Sequence, residues 1–385
     1  MMRTAALLLA GAAMTAAPVA AQTVTLQNSR AEMSRASGKP LAKSLKEWWE
    51  QLRGLPTAKP VEVLKIADWI AQGYGPVKTN APDVVGAFRV ICPPTGLNYD
   101  DAVLYPGVKN GSPHGHIYYC TKGVDANSTP DTLRNDWKGG YNPLLGSGYW
   151  SAWPQRAKDG KVIQIDYASI YYKRRPITDP MCFKQAPKGC IPLVRDIRMV
   201  SGYDMRRMGQ AQPENATFTH RCISEGKPSI ERPLVADAVA DCGGAGQIMT
   251  AIGFPECSDG RADSPDHRSH VAQIKYRGQS YAECDADHPY LMTHVTEQIA
   301  FTVEADDEPI VFSSDAMPGM PQMPGGSTFH ADYLYGLHDY LAQRIEACIN
   351  ALLSCSDGET GEGMMLKRDA LTYKASPRLV DAPVR

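Results

Sequence analysis

KVIQIDYASIYY, Lys161 to Tyr172, is the stretch whose reading decides the fold. Its β-branched and aromatic residues are interleaved with Gln164, Asp166 and Ser169, the pattern of a half-buried antiparallel strand. Working outward, similar short runs occur at Phe88–Ile91, His116–Tyr119, Ile197–Ser201, Gln247–Ile252, Ala272–Tyr276 and Gln298–Val303. Long irregular connections separate them, and the 33 glycines and 29 prolines suit a loop-rich chain. There is no βαβ rhythm, no GxGxxG and no phosphate-cradling loop. The expected fold is therefore β-rich α+β, with an antiparallel β-sandwich-like core and long disulfide-tied loops.

Helical spacing appears at the two ends. Ser44–Leu55 carries Leu45, Trp48, Trp49 and Leu52 on one side, and Val61–Tyr74 repeats the pattern with Val63, Ile66, Ala67 and Ile70. Together they predict an N-terminal helical hairpin within residues 22–81. Leu337, Leu341, Ile345 and Ile349 predict a C-terminal helix over Tyr333–Leu353. The main domain spans 82–355, and residues 356–385 have the polar, Gly-rich composition of a disordered tail.

Residues 1–21 have the form of a secretory signal peptide: Arg3, an Ala-rich apolar run, and small residues at Val19-Ala20-Ala21. That run is too short to favour a membrane span, so a secreted or periplasmic location is expected. All ten cysteines lie beyond it, which in an oxidising compartment allows five disulfides. Short loops favour Cys182–Cys190 and Cys348–Cys355, and Cys257–Cys284 would staple the loop between them, although spacing alone does not settle connectivity. No CxxC occurs, which argues against a cysteine zinc site. The balance of 40 basic and 42 acidic residues gives no general attraction to nucleic acid or anionic lipid.

Chemistry concentrates in loops. FPECSDGRADSPDHRSHV, Phe254 to Val271, holds three aspartates, two histidines and two arginines, with neither a helix nor a strand period. Within it, Asp266 beside His267 and His270 suits a general base with an orienting carboxylate, or metal ligands; the alternative is a polar network that only holds the loop. His114 and His116 in PHGH project to one face of a strand and suit two metal ligands, or a base and its partner. His330 in FHAD precedes the expected last helix, where Asp332 suits an N-cap. Met317, Met320 and Met323 repeat every three residues, and thioethers aligned on a polyproline helix would suit Cu(I). No GxSxG elbow supports serine catalysis.

Seven motifs taken in order resemble the DUF1996 family. They are YDDAVLYPG (Tyr99–Gly107), PHGH (Pro113–His116), GYWSAW (Gly148–Trp153), IRMVSGYD (Ile197–Asp204), the Phe254–Val271 stretch, CDADHPY (Cys284–Tyr290) and TFHADY (Thr328–Tyr333). The resemblance covers about Pro82 to Cys355 and implies a secreted protein, without implying an activity. It does imply that His114, His116, Asp266, His267, His270 and His330 occupy motif positions. Ser258 stands where the family usually carries Trp, and the methionine repeat resembles a local insertion.

Three functions follow as expectations. The first is a hydrolase or lyase acting on extracellular polysaccharide, with His114, His116, Asp266, His267, His270 and His330 catalytic and Tyr118, Trp150, Arg198 and Arg261 binding substrate. The second is a non-catalytic carbohydrate-binding or envelope protein whose Trp150, Trp153 and Tyr149 stack on sugar. The third is a periplasmic copper or zinc protein. Neither the presence nor the identity of a cofactor is legible in the chain. The first and the third need histidines from distant segments to converge; in the second they only hold loops.

Overall fold

The computed structural model describes residues 55, 64–79, 85–208, 218–368 and 377–385. Signal-like residues 1–21 and the first expected helix, apart from Leu55, lie outside them. The β-rich reading holds. Ile165–Arg174 pairs on one side with Gly86–Cys92 and on the other with His294–Val303, both antiparallel. It thus lies in the middle of a seven-stranded sheet that also contains Phe218–Cys222, Gly246–Gly253, Leu353–Cys355 and Val77–Lys78. Alternate residues Phe88, Val90 and Cys92 are buried, as the strand period requires. The expected Lys161–Tyr172 run breaks at Gln164 into Val162–Ile163 and Ile165–Arg174, which join different sheets.

A second, five-stranded antiparallel sheet runs in the order Arg198–Gly202, His330–Leu334, Gly148–Ala152, His116–Tyr119, Pro94–Asn98. Its two faces have different roles. Tyr119, Tyr149 and Tyr333 turn toward the seven-stranded sheet, where Tyr119 donates to Glu297 and the hydroxyls of Tyr149 and Tyr172 meet. Residues of both sheets form one continuous apolar cluster there. The opposite face carries Tyr118, Trp150, Val200 and Leu334, and is covered by Ala102 and Val103 from the Tyr99–Gly107 segment. Two four-stranded and two two-stranded sheets complete the described strands, which are therefore spread over more sheets than the two of a simple sandwich.

All ten cysteines are paired: Cys92–Cys120, Cys182–Cys190, Cys222–Cys242, Cys257–Cys284 and Cys348–Cys355. The two pairs favoured by short loops and the expected Cys257–Cys284 staple are among them. No helix of the described residues is long and apolar enough to cross a membrane.

Three expectations are corrected. Within Val61–Tyr74 the described chain forms a 3-10 turn at Ile66–Asp68 and a strand at Ile70–Gln72 instead of a helix, because Met364–Leu366 pairs with it. Long-range pairing has overridden local spacing. The tail is partly structured: besides Met364–Leu366, Leu379–Val380 pairs with Val162–Ile163, and the Arg385 guanidinium lies 5.5 Å over the Tyr99 ring. The last helix spans Asp339–Asn350 and is shorter than expected, since Tyr333 and Leu334 are strand residues and the His338 side chain caps it by accepting from Tyr340 N–H.

Candidate metal centre

Antiparallel neighbours share a face, so register decides what meets on the covered side of the five-stranded sheet. Asp332 lies opposite Trp150, which lies opposite Tyr118; His116 lies opposite Ala152. Strand alternation places His330 beside Asp332, and His116 beside Tyr118, on that same side. His114 folds back from the turn before its strand. There Gly115 is obligatory, because an added Cβ would fall inside the Trp153 ring. Asp101 comes down from the covering segment, where its Oδ1 accepts from the N–H groups of Val103 and Leu104 at 2.9 and 2.8 Å.

The three imidazoles converge. His114 Nε2 lies 3.0 Å from His330 Nε2, and the His114 and His116 ring centres are 4.6 Å apart. Donor atoms of His114, His116 and His330 all lie within 4.8 Å of one another, as do those of Asp101, His116 and Asp332. His116 belongs to both groups. All five side chains are buried.

Backbone carbonyls set the tautomers. His116 Nδ1 is 2.8 Å from the Asp100 carbonyl, His330 Nδ1 is 2.9 Å from that of Thr328, and His114 Nδ1 is 3.3 Å from that of Gly115. A carbonyl only accepts, so Nδ1 of His116 and of His330 carries the proton and Nε2 presents a lone pair, while the longer His114 contact leaves its Nε2 free to donate to His330 Nε2 when no cation stands between them. This is the arrangement that orients histidine ligands around a metal. These carbonyls are themselves held. Asp315 accepts from the N–H groups of Phe312, Gly326 and Thr328, which fixes the loop that aims the Thr328 carbonyl at His330.

The electrostatics have two signs. Burial and the neighbouring imidazoles push His114 well below the usual histidine range. Burial lowers His116 to about 3 and His330 to about 4, so all three are neutral lone-pair donors at neutral pH. Burial, reinforced by Asp101, pushes Asp332 well above the carboxylate range, against the Arg268 guanidinium. Asp101 is raised to about 6, chiefly by burial and against its two backbone hydrogen bonds. Neither oxygen of Asp332, nor Nε2 of His116, has a hydrogen-bond partner among the described residues. Buried groups in that state carry a desolvation cost of about 1–3 kcal/mol each. A cation among them would remove it.

The other expected residues belong to neither donor group, although His267 is near enough to favour the charged form of Asp101 and the rings of Tyr118 and Trp150 lie 6.3 and 6.5 Å from that of His116. His267 takes a left-handed backbone conformation, φ 55°, and its Nδ1 pairs with Asp263 at 2.8 Å. Asp263 also faces Arg198, which donates to the Ala102 carbonyl at 2.8 Å. His270 has both ring nitrogens engaged, by Ser264 and by the Arg198 carbonyl. Burial raises Asp266, but hydrogen bonds from Ser269, Ser264 and Arg268 N–H prevail and hold it well below the usual carboxylate range. Arg261 is half exposed and pairs with Asp259. These contacts are those of a polar network that braces a loop.

Tyr118 donates to the Asp100 carbonyl at 2.6 Å, and its ring lies 5.6 Å from that of the fully buried Trp150. Trp153 and Tyr149 are buried as well, so the expected aromatic platform for sugar is corrected to interior packing. Met317 is buried against Tyr203, Met205 and Met208, and a turn at Met320 interrupts any polyproline run.

Two carboxylates of the donor groups fall outside the expected residues. In sequence Asp332 suits an N-cap, yet the period-two argument applied to His114 and His116 applies equally to His330 and Asp332. Asp101, in a loop without period, carried no such signal.

The model for DUF1996, a domain of unknown function, matches residues 101–337, more than half of the chain. The chain belongs to the DUF1996 family. The match takes in the whole donor set, from Asp101 to Asp332. No curated protein and no solved structure matches significantly.

Proposed function

We propose that this DUF1996 protein is an exported metal protein whose centre is held by Nε2 of His114, His116 and His330, with Asp332 as the fourth donor. The observation that carries the reading is the convergence of three carbonyl-oriented imidazoles beside a buried carboxylate with no hydrogen-bond partner. Two nitrogens bound tetrahedrally at about 2.0–2.1 Å from zinc lie about 3.3 Å apart. The His114–His330 separation of 3.0 Å is close to that. Imidazole with carboxylate suits zinc and neighbouring divalent transition ions, and the absence of thiolate and thioether from the set disfavours Cu(I). Five disulfides fit the oxidising compartment expected for an exported chain.

The polysaccharide hydrolase or lyase expected from the Asp266–His270 loop has less support, because His270 and Tyr118 spend their polar atoms inside the fold. Elemental analysis of the tag-free exported protein, before and after incubation with zinc, copper, cobalt and manganese, tests the proposal. One equivalent of a divalent ion, lost in both His114→Ala and His330→Ala with melting intact, is expected. Protein that stays metal-free after every incubation would overturn it.

A further inference from the structure

The second donor group, Asp101, His116 and Asp332, differs from the imidazole group in kind, because two of its three members are carboxylates. They come from three segments, and each is held by contacts that leave a ligand atom over. The Asp100 carbonyl accepts from the Tyr118 hydroxyl at 2.6 Å and from His116 Nδ1 at 2.8 Å, which ties the Tyr99–Gly107 segment to the strand beneath it. Asp101 follows directly, its Oδ1 fixed by the N–H groups of Val103 and Leu104. Asp332 lies in the middle of a strand paired on both sides.

His116 and Asp332 are fully buried, and neither His116 Nε2 nor either Asp332 oxygen has a hydrogen-bond partner among the described residues. Donor atoms of the three residues lie within 4.8 Å of one another. Oxygen ligands about 2.0–2.6 Å from a hard divalent cation stand up to about 4–5 Å apart, which covers that spacing.

Charge and ligand type decide which ion suits the group. The two carboxylates repel one another when both are charged, and one divalent cation between them cancels both. The Arg268 guanidinium offsets part of that repulsion, yet neither Asp332 oxygen has it as a hydrogen-bond partner. Carboxylate oxygen suits manganese, magnesium and calcium, whereas imidazole nitrogen suits zinc and copper. His116 belongs to both groups and has a single free lone pair, because its Nδ1–H is spent on the Asp100 carbonyl. Only one of the two positions can therefore be filled at a time.

We propose that Asp101, His116 and Asp332 form a second, carboxylate-rich position for a hard divalent cation, Mn²⁺, and that its occupation excludes an ion from the imidazole-rich position. The inference deepens the metal-centre reading and rests on it for the shared His116 and Asp332.

Titration of the tag-free, metal-stripped exported chain with Mn²⁺, followed by loss of the electron paramagnetic resonance signal of the free ion, tests it. One equivalent should bind, and zinc should expel it one for one. In Asp101→Asn an oxygen remains for the Val103 and Leu104 N–H groups, so the segment keeps its shape. That variant should bind Mn²⁺ about 100-fold more weakly while its zinc affinity stays within about a factor of three, and the retained zinc shows that it is folded. His114→Ala should do the reverse, losing zinc and keeping Mn²⁺. Mn²⁺ held through Asp101 in a chain that takes no zinc would support this position and overturn the imidazole centre. No Mn²⁺ bound at millimolar concentration, Asp101→Asn that leaves Mn²⁺ unchanged or removes both ions, or Mn²⁺ and zinc bound together would each overturn the proposal.

Discussion

Asp332→Asn should leave the metal-free protein almost unchanged and weaken the metal-loaded one. In the metal-free protein both Asp332 oxygens are buried without partners, and burial beside Asp101 keeps the carboxyl in its uncharged form. An isosteric amide replaces one uncharged buried polar group by another, so the metal-free variant should stay within about 1 kcal/mol of the wild type. In the loaded protein the carboxylate is a ligand, and its loss costs stability. A ligand that binds only the native state at 1,000 times its Kd stabilises by about 4.1 kcal/mol. If the lost carboxylate weakens binding about 100-fold, the same metal concentration contributes only about 1.4 kcal/mol. At about 2–4 °C per kcal/mol for a large domain, the zinc-induced rise in Tm should shrink from about 10 °C to about 4 °C. Differential scanning calorimetry in chelator and in zinc reads both arms. A variant that is destabilised equally in the two conditions would show that Asp332 has native hydrogen-bond partners and no cation, and would refute the reasoning.

Asp315 touches none of the donors but holds the Thr328 segment that orients His330, so Asp315→Ala should lower metal affinity about 10–100-fold while the stoichiometry stays at one. Competition titration against a chromophoric chelator measures it. His220 is fully buried, bound to Thr250 and to the Gly326 carbonyl, and lowered by burial to about 4. Its folded pKa lies below the unfolded value of about 6.5, so its contribution is complete above pH 6.5 and is lost as pH falls toward 4, by about 3 kcal/mol in all. Denaturant midpoints of wild type and His220→Gln should therefore converge across that window; curves that stay parallel would contradict it. Gly115→Ala should cost about 1–3 kcal/mol from the clash with Trp153, and should also displace the two flanking histidines, so that chelator competition shows weakened zinc binding.

How far local pattern carries can be traced residue by residue. The runs at Phe88–Ile91, His116–Tyr119 and Gln247–Ile252 fall on the strands Gly86–Cys92, His116–Tyr119 and Gly246–Gly253; the first writes its two faces into alternating residues, whereas His116–Tyr119 is buried on both sides. The Cys182–Cys190 and Cys348–Cys355 pairs were legible because short loops close readily, whereas Cys257–Cys284 closes 27 residues and was legible only as a staple of the polar loop. By contrast, Ile70–Gln72 has helical spacing and becomes a strand, because its partner lies almost three hundred residues along the chain. The histidines divide in the same way. His114, His116, His267, His270 and His330 all looked alike in sequence, each with a small or polar residue on at least one side. Cross-strand register brought three of them to one buried face and gave His267 and His270 carboxylate, hydroxyl and carbonyl partners elsewhere. Composition and periodicity are properties of neighbours along the chain, so they determined the β-rich class, the loop staples and the candidate residue types. Which lone pairs face one another depends on sheet order and burial, and only the tertiary structure decided that.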